Sequence, residues 1–371
     1  MNFDFSDEQK ELQRSARRLL EGQCPTKKLR TILEGNEDFD RRLWSTLADM
    51  GFCGAVIPEE YGGLGAGYLE LCVIAEELGR ALAPVPFDST IGLFSELLKL
   101  AGSDEQQSKY LPLVAQGKLI GTLAHAESNA VAPRVISSTV TAGKLSGTKC
   151  PVMDGLCADS AIVVACEEQD TAPTLFLVQL GSSAVQRHSV QSVDPSRKHA
   201  RLSFQAAPAE RIGPRGKGLE ILARAFDRAA VLIAFQQVGG AERALFMARD
   251  YAQQRIAFGR PIGSFQAIKH MLADMFVSLT LARANAYYAA WALQADSAEL
   301  PIAAAAARVS ATTAFQHCTS NSIQVHGGIG VTWEFDAHLF YRRSNLLALS
   351  LGSQSQWEAK LIDRMRLRNA A

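Results

Sequence analysis

Apolar residues recur at intervals of three and four positions along the first third of the chain. This spacing predicts a series of amphipathic helices, which cover 39–50, 68–82, 91–101 and a segment that begins at Asp104. Another helix is predicted to begin near Ser6, because Ser6 and Gln9 have the capping-box spacing that lets each side chain bind a free backbone amide. Residues 1–117 are therefore expected to form an α-helical domain.

The pattern changes at Lys118. Short runs that favour β-strands, separated by turn residues, follow one another as far as Ile212. After a glycine-rich linker at 213–218, long alanine- and leucine-rich segments return, with apolar positions spaced to form one face of a helix. The pattern therefore predicts a compact β domain over 118–212 and a second helical domain, built as a bundle, over 213–371.

Composition narrows the class of protein. The chain has 371 residues, of which 38 are basic and 38 acidic, so the formal net charge is zero and argues against a nucleic-acid or membrane-surface role. Its longest apolar stretch, 229–235, is far shorter than the ~20 residues that a membrane-spanning helix needs. Seven scattered cysteines show no metal-ligand spacing, and the amino-terminal segment lacks the pattern of a secretory signal. We expect a cytoplasmic protein with reduced thiols, no metal site and no membrane association.

Arg255 and Gln266 bracket a short turn, RIAFGRPIGSFQ, between two long helical segments. A guanidinium can bind a pyrophosphate through two hydrogen bonds, and the first turn of a helix favours an anion. Arg255 and Gln266 could equally be an ordinary residue at a helix end and an ordinary cap, and the residues alone slightly favour that interpretation.

A second glycine-containing segment, Gln324-Val325-His326-Gly327-Gly328-Ile329-Gly330, interrupts another helical pattern. Its glycines would let a ligand approach the backbone closely, but they could also simply end a helix. A single histidine is more often packed or exposed than catalytic, so we assign no chemistry to His326.

Taken together and in order, three segments resemble the acyl-CoA dehydrogenase family. They are PEEYGGLG with EELGR, then RIAFGRPIGSFQAIKHMLADM, and finally QVHGGIG with Glu334 and Arg342. The resemblance covers essentially the whole chain. It implies a mainly α fold, with an N-terminal α-helical domain, a central β-barrel-like domain and a C-terminal four-helix bundle.

The resemblance also implies FAD as the cofactor. In the family, the arginine of the RxxFG motif and the glutamine eleven residues later contact the FAD of a neighbouring subunit, and these residues are Arg255 and Gln266 here. The other positions that match contacts to this FAD are Phe258, Ile262, Gln324, Gly327 and Gly328. The half of the flavin site that serves a neighbouring subunit is therefore expected to be present.

The family's catalytic base is expected to be missing. Family members use a carboxylate to remove the α-proton of an acyl-CoA thioester while hydride leaves the β-carbon for the flavin. The usual glutamate position holds Leu351 here, and the alternative position, two residues after Asp227, holds Ala229. Neither side chain accepts a proton, so the catalytic residue is not assigned.

The contacts to a subunit's own flavin are also expected to be reduced. The family's Thr-Glu-Pro-Gly-Ala-Gly-Ser-Asp signature is represented only by Ala126-Glu127-Ser128-Asn129, and the Trp-Ile-Thr segment by Pro151-Val152-Met153. Glu127, Asp154 and Asp159 lie near these segments, and a solvated loop position is expected for each of them.

These departures predict a subunit that works with a second chain. By analogy with two-subunit bacterial acyl-CoA dehydrogenases of steroid side-chain or pimeloyl-CoA type, we expect a homo- or heterotetramer, an acyl-CoA substrate and electron-transfer flavoprotein or a similar acceptor. Two alternatives remain open. One is a flavoprotein of the same fold with different chemistry, such as a desulfinase or an oxygenase, and the other is a non-catalytic structural subunit.

Overall fold

The computed structural model describes residues 5–35, 37–127, 136–168 and 170–370. Within these residues the helices are α1 (Asp7–Gln23), α2 (Thr26–Glu34), α3 (Arg41–Asp49), α4 (Tyr68–Arg80), α5 (Glu96–Ala101), α6 (Asp104–Ala115), α7 (Gly218–Gln254), α8 (Gln266–Gln294), α9 (Leu300–His326), α10 (Ala337–Leu349) and α11 (Gln354–Ala370). The strands are β1 (Gly121–Ala124), β2 (Thr139–Thr141), β3 (Lys144–Met153), β4 (Ser160–Glu167), β5 (Pro173–Gln179), β6 (Val185–Val190), β7 (His199–Pro208), β8 (Glu210–Ile212), β9 (Ile256–Ala257) and β10 (Arg260–Pro261). Ser128 and Asn129, which the sequence placed in the reduced flavin signature, lie outside the described residues.

Contacts divide the chain into two compact units. One unit contains Met1–Leu29, Tyr68–Ala83 and Ala230–Ala371, and the other contains Arg30–Gly67 and Pro84–Ala229. The long C-terminal helices α8 and α9 belong to the first unit, and the sheet belongs to the second.

The sheet of the second unit has the strand order β6-β7-β3-β2-β4-β5-β8, with β1 added beside β4. Strands β1 and β2 run parallel to β4, and the other pairs are antiparallel. Seven consecutive residues of β4 are buried, which is the pattern of a strand covered on both faces. This strand carries the SAIVVACEE run that the sequence predicted as β-structure.

Glycines allow two helices of the first unit to cross at backbone distance. A Cβ added at Gly79 of α4 would lie 2.1 Å from the Gln236 carbonyl oxygen of α7, and one added at Gly239 would lie 2.0 Å from the Glu76 carbonyl oxygen. Any side chain at either position would force the helices apart. The Gly239-Gly240 pair therefore serves close helix packing.

The helical predictions agree with the structure where the periodicity was strong. Ser6 accepts a hydrogen bond from the Gln9 amide, and the Gln9 side chain accepts one from the Ser6 amide, so the predicted capping box begins α1. The mainly α architecture, with a sheet between helical segments, agrees with the expected fold. In the part of the chain that the structure describes, no helix combines the length and the apolar character that crossing a membrane requires.

Candidate functional site

A two-stranded hairpin follows α7 and carries the first group of site residues. β9 and β10 pair antiparallel, and the turn between them consists of Phe258 and Gly259, with φ angles of 52° and 79°. Two-residue hairpin turns need this left-handed conformation, which glycine adopts freely and phenylalanine only at a cost. The Phe258 ring is 94% exposed. The hairpin thus presents an aromatic ring away from the chain's own core.

Backbone hydrogen bonds fix both ends of this hairpin. The Arg255 amide donates to the Tyr251 carbonyl in the last turn of α7, at 2.8 Å, and the Ile262 amide donates to the Arg255 carbonyl, also at 2.8 Å. Arg255 is exposed, whereas Ile262 is half-buried. The guanidinium is therefore accessible to a ligand although its backbone is held firmly.

The N-terminus of α8 lies immediately beyond the hairpin. Phe265 is the N-cap residue, in an extended conformation, and makes no side-chain hydrogen bond to the helix amides. Arg260 stacks on the Phe265 ring, with its guanidinium carbon 4.1 Å from the ring centroid, and Gln266 is exposed in the first helical position. The positive end of the helix dipole and two nearby arginines make this region favourable for an anion.

The second group of site residues lies where α9 ends. Gln324, Gly327 and Gly328 are exposed, and Gly327 forms the C-cap with φ of 64° and ψ of −144°. A Cβ added at Gly327 or Gly328 would meet no atom within 4 Å. Gly327 therefore ends the helix, which was one of the two roles that the sequence allowed. Both glycines also leave open space in which a ligand can approach the backbone.

Three aromatic rings connect the two groups. His326 lies between Tyr251 and Phe335, with ring-centroid distances of 4.4 Å and 4.5 Å. Its Nδ1 is 2.6 Å from the Ser322 carbonyl oxygen, and its Nε2 is buried without a hydrogen-bond partner. Burial lowers the pKa of His326. Tyr251 precedes Arg255 by one helical turn and could have been noticed on that basis, but no local signal indicates Phe335.

The usual base position lies in the turn between α10 and α11. Leu351 is 9% exposed and has a φ of 61°, and its carbonyl oxygen accepts a hydrogen bond from the Trp357 indole at 3.2 Å. Ala229, at the alternative base position, is 2% exposed within α7. Neither position presents a group that can accept a proton.

The buried side chain of Arg308 forms hydrogen bonds to the turn that contains Leu351. Arg308 of α9 is 1% exposed and donates to the carbonyl oxygens of Leu347 and Ser350, the latter at 2.9 Å. It also donates to the Gln237 side chain at 2.9 Å and to Thr312. Burial lowers the pKa of Arg308 to about 9, so the guanidinium is charged at neutral pH. The sequence analysis missed this residue because its alanine-rich helix gives no local sign of the contact.

The carboxylates of Glu127 and Asp154, in and near the reduced flavin signature, form ion pairs with buried cations. Glu127 accepts hydrogen bonds from Ser137, Ser138 and Lys149, with Lys149 Nζ at 2.6 Å, and these contacts lower the pKa of Glu127 to about 2. Asp154 is 2% exposed and pairs with Arg197 at 3.0 Å. The expectation of a solvated loop position is therefore wrong for Glu127 and Asp154, because buried cations hold both.

Asp159 differs from these two residues. It is exposed, and its carboxylate accepts a hydrogen bond from the Ile120 amide at 2.8 Å. Pro151, Val152 and Met153, which replace the family's Trp-Ile-Thr segment, form the end of β3. This end of the strand presents no tryptophan or threonine side chain.

Glu76 is the carboxylate whose properties come nearest to those of a base. Burial raises the pKa of Glu76 to about 7, although Arg283, 3.0 Å away, opposes that change. Arg283 also pairs with Glu242 at 2.9 Å, which in turn pairs with Arg80. Glu76 is 2% exposed and belongs to this ion-pair network, so its carboxylate is not presented at the protein surface.

Comparison with known proteins identifies the family. The acyl-CoA dehydrogenase N-terminal domain matches residues 6–118, and the acyl-CoA dehydrogenase C-terminal domain matches residues 216–362. Together with the relatives described next, these matches show that the chain belongs to the acyl-CoA dehydrogenase family. Members of this family are oxidoreductases that act on the CH–CH bond of acyl-CoA.

Two sequence relatives are acyl-CoA dehydrogenases named IpdE2. The protein of Mycobacterium tuberculosis is 35% identical over 318 residues, which cover 85% of this chain and 84% of the relative. That of Mycolicibacterium smegmatis is 31% identical over 351 residues, which cover 94% of this chain and 96% of the relative.

Two structural relatives are chains of enzymes named as pairs of proteins. A variant of the Tcur3481-Tcur3483 steroid acyl-CoA dehydrogenase has a TM-score of 0.88 at 29% identity, covering 98% of this chain and 99% of that one. The ChsE4-ChsE5 complex from Mycobacterium tuberculosis has a TM-score of 0.90 at 26% identity, covering 99% of both chains.

Proposed function

We propose that this chain is one subunit of an FAD-dependent acyl-CoA dehydrogenase whose catalytic base comes from a partner subunit. One observation carries the proposal. The positions that would serve a neighbour's FAD include the exposed polar side chains of Arg255, Gln266 and Gln324, whereas both base positions of this chain hold buried apolar residues. A chain with only a structural role has no need for the first of these features.

The residues of the first unit fit the FAD of a neighbouring subunit. Arg255 would bind the pyrophosphate through two hydrogen bonds, and the free amides and dipole at the start of α8 would favour the same charge. Gln266 and Gln324 supply exposed amide groups, and Gly327 and Gly328 leave space for close approach. The exposed Phe258 ring would cover an apolar part of the cofactor. FAD, when bound, supplies the acceptor for the hydride that leaves the β-carbon of the acyl-CoA.

Removal of the α-proton is the step that this chain does not perform. A base must lie within reach of the proton and be free to accept it. Leu351 and Ala229 have no such group, and Lys149 and Arg197 hold Glu127 and Asp154. We therefore assign the base, and most contacts to the flavin ring, to a second acyl-CoA dehydrogenase chain.

Assigning the base to a second chain also implies which proteins this chain works with. The two structural relatives named as pairs support an assembly of this chain with a second, different chain. The reduced cofactor would pass its electrons to electron-transfer flavoprotein or a similar acceptor. A subunit with its own base would not need a second kind of chain for removal of the α-proton.

The test is the flavin absorbance and native mass of this chain, purified alone and after co-expression with the acyl-CoA dehydrogenase encoded beside it. We expect a colourless chain alone, and a yellow mixed tetramer that desaturates an acyl-CoA in the presence of an electron acceptor. A homotetramer that contains one FAD per chain and desaturates an acyl-CoA would contradict the proposal.

The missing base also favours a second candidate, a flavoprotein of this fold whose reaction needs no carboxylate base. This candidate predicts a yellow homotetramer that turns over without an electron-transfer partner or forms a stable flavin adduct. The same purification separates the two candidates, because only the first requires the second chain for flavin binding.

A further inference from the structure

We propose that His326 is a positioning residue for the flavin-binding surface, here defined as residues 255–262 together with residues 324–328. Its ring would hold the Gly327-Gly328 turn in register with the Arg255 hairpin. This inference rests on the proposed function, since it concerns how the segments that receive FAD are kept together.

The ring of His326 makes contact on both sides. Tyr251 lies 4.4 Å away at an interplanar angle of 35°, and Phe335 lies 4.5 Å away at 47°. Tyr251 and Phe335 are themselves 6.3 Å apart in an edge-on arrangement. Tilted and edge-on pairs at such distances are the favoured geometries of aromatic contacts. The three rings form one packed cluster with His326 at its centre.

The cluster is joined directly to both parts of the flavin-binding surface. The Tyr251 backbone carbonyl accepts a hydrogen bond from the Arg255 amide at 2.8 Å, so the residue that carries the clustered ring is also bonded to the start of the hairpin. His326 precedes Gly327, and a Cβ added at Gly330 would lie 3.0 Å from the His326 Cβ. The chain after His326 therefore folds tightly back over this residue.

Side chains do not hold the Gly327-Gly328 turn. Neither glycine has one, and a Cβ added at either would meet no atom within 4 Å, so only the backbone, through the Gly327 amide that donates to the Gln324 and Ile323 carbonyls, ties the pair to α9. Glycine loses more conformational freedom on ordering than other residues do, so an exposed glycine pair needs support from its neighbours. His326 is the buried residue adjacent to this pair, and its contacts with Tyr251 and Phe335 supply that support.

Hydrogen bonding explains why the ring is oriented as it is. A carbonyl oxygen only accepts, so the 2.6 Å contact with Ser322 requires that Nδ1 carries the proton. Nε2 is then the unprotonated nitrogen, and it is buried without a partner. The neutral ring serves through its shape and its single bond to Ser322, not through charge or acid–base chemistry.

The test measures FAD affinity for four variants of the flavin-containing assembly: His326→Ala, His326→Phe, Arg255→Ala and the double variant Arg255→Ala/His326→Ala. Loss of two aromatic contacts by His326→Ala should weaken FAD binding about tenfold. His326→Phe keeps the ring and should restore affinity to within about threefold of the unmodified protein. His317→Ala, on the same helix but outside the cluster, is the matched control and should leave affinity unchanged.

The double variant distinguishes positioning from a general loss of stability. If His326 acts through the Arg255 hairpin, the double variant should lose less affinity than the product of the two single losses, because the second change removes an interaction that is already impaired. Independent losses would contradict the proposal. If His326→Ala does not assemble, Tyr251→Leu removes the facing ring from the other segment and should show the same coupling.

The outcomes separate this inference from the proposed function. Weaker binding in Arg255→Ala together with unchanged binding in His326→Ala would overturn the role of His326 and leave the shared flavin site intact. Unchanged binding in both would overturn the shared flavin site, and the positioning role with it.

Discussion

The Arg255 hairpin and the Leu351 turn both belong to the first unit, and each contains a non-glycine residue in the left-handed conformation. The hairpin begins at an arginine, Arg255, and the turn accepts hydrogen bonds from another, Arg308. In the hairpin, Phe258 and Arg255 are exposed. In the turn, Leu351 and Arg308 are buried, and Arg308 donates hydrogen bonds to Leu347, Ser350, Gln237 and Thr312.

At a position where the family places a functional side chain, the backbone shape can be retained although the side chain has lost its chemistry. The left-handed conformation of Leu351 lies in buried surroundings, which Arg308 fixes through the Leu347 and Ser350 carbonyls. The turn therefore keeps its backbone shape although its side chain has no acid–base chemistry. The hairpin has no comparable enclosure, and its exposed arginine and aromatic ring fit the proposed role in binding the FAD of a neighbouring subunit.

The largest effect is expected from Arg308→Met. This change leaves several buried carbonyl and side-chain oxygens without a donor, which should lower the free energy of unfolding by roughly 3–5 kcal/mol. Urea denaturation of the assembled protein would measure it. Arg308→Lys keeps the charge and part of the hydrogen bonding, so it should cost less than the methionine variant. Equal stability of Arg308→Met and the unmodified protein would show that the turn needs no internal support.

The next effect is expected from Arg255→Ala. Loss of a charge-assisted hydrogen bond to the pyrophosphate should weaken FAD binding by about 10- to 100-fold, with little change in the free energy of unfolding of the flavin-free chain. Equilibrium dialysis of the mixed tetramer would measure this affinity.

The matched control for Arg255 is Arg249→Ala. Arg249 is an exposed arginine of α7 that pairs with Asp250 at 2.7 Å, and it lies outside the flavin-binding surface. The Arg249→Ala variant should leave FAD binding unchanged, because an exposed ion pair contributes little to stability. Flavin content that survives Arg255→Ala would favour a purely structural subunit.

The local sequence pattern predicted the helices and the fold correctly, but it did not predict which charged residues are buried in ion pairs. The helices at Ser6, Tyr68 and Asp104 follow from caps and periodicity, and the acyl-CoA dehydrogenase resemblance is confirmed. Strand β6 was missed, because its VQRHSV sequence is polar and its position depends on pairing with β7 at the edge of the sheet.

The ion pairs were missed for a related reason. Arg283 and Glu76 are 207 positions apart, so nothing in the sequence around either residue reveals the contact. Asp154 was expected in solvent, yet it meets Arg197 in the interior. Likewise, the resemblance indicated which residues would face FAD, but the ring contacts of His326 depend on the meeting of three distant segments. Tertiary contacts of this kind determine burial and pairing, which local pattern does not encode.

The smallest effect on activity is expected from Leu351→Glu, which restores a carboxylate at the family's base position. Because position 351 is buried, the new carboxyl should lower the free energy of unfolding by about 1–3 kcal/mol. We expect no desaturation of an acyl-CoA by the chain purified alone, since the own-subunit flavin contacts are reduced and the base is only one of the missing parts. Leu351→Gln, of similar size but unable to act as a base, is the control for stability. If Leu351→Glu gains acyl-CoA desaturation and Leu351→Gln does not, this chain holds a complete flavin site of its own, and the contrast between an exposed binding hairpin and an inactive buried turn would have to be abandoned.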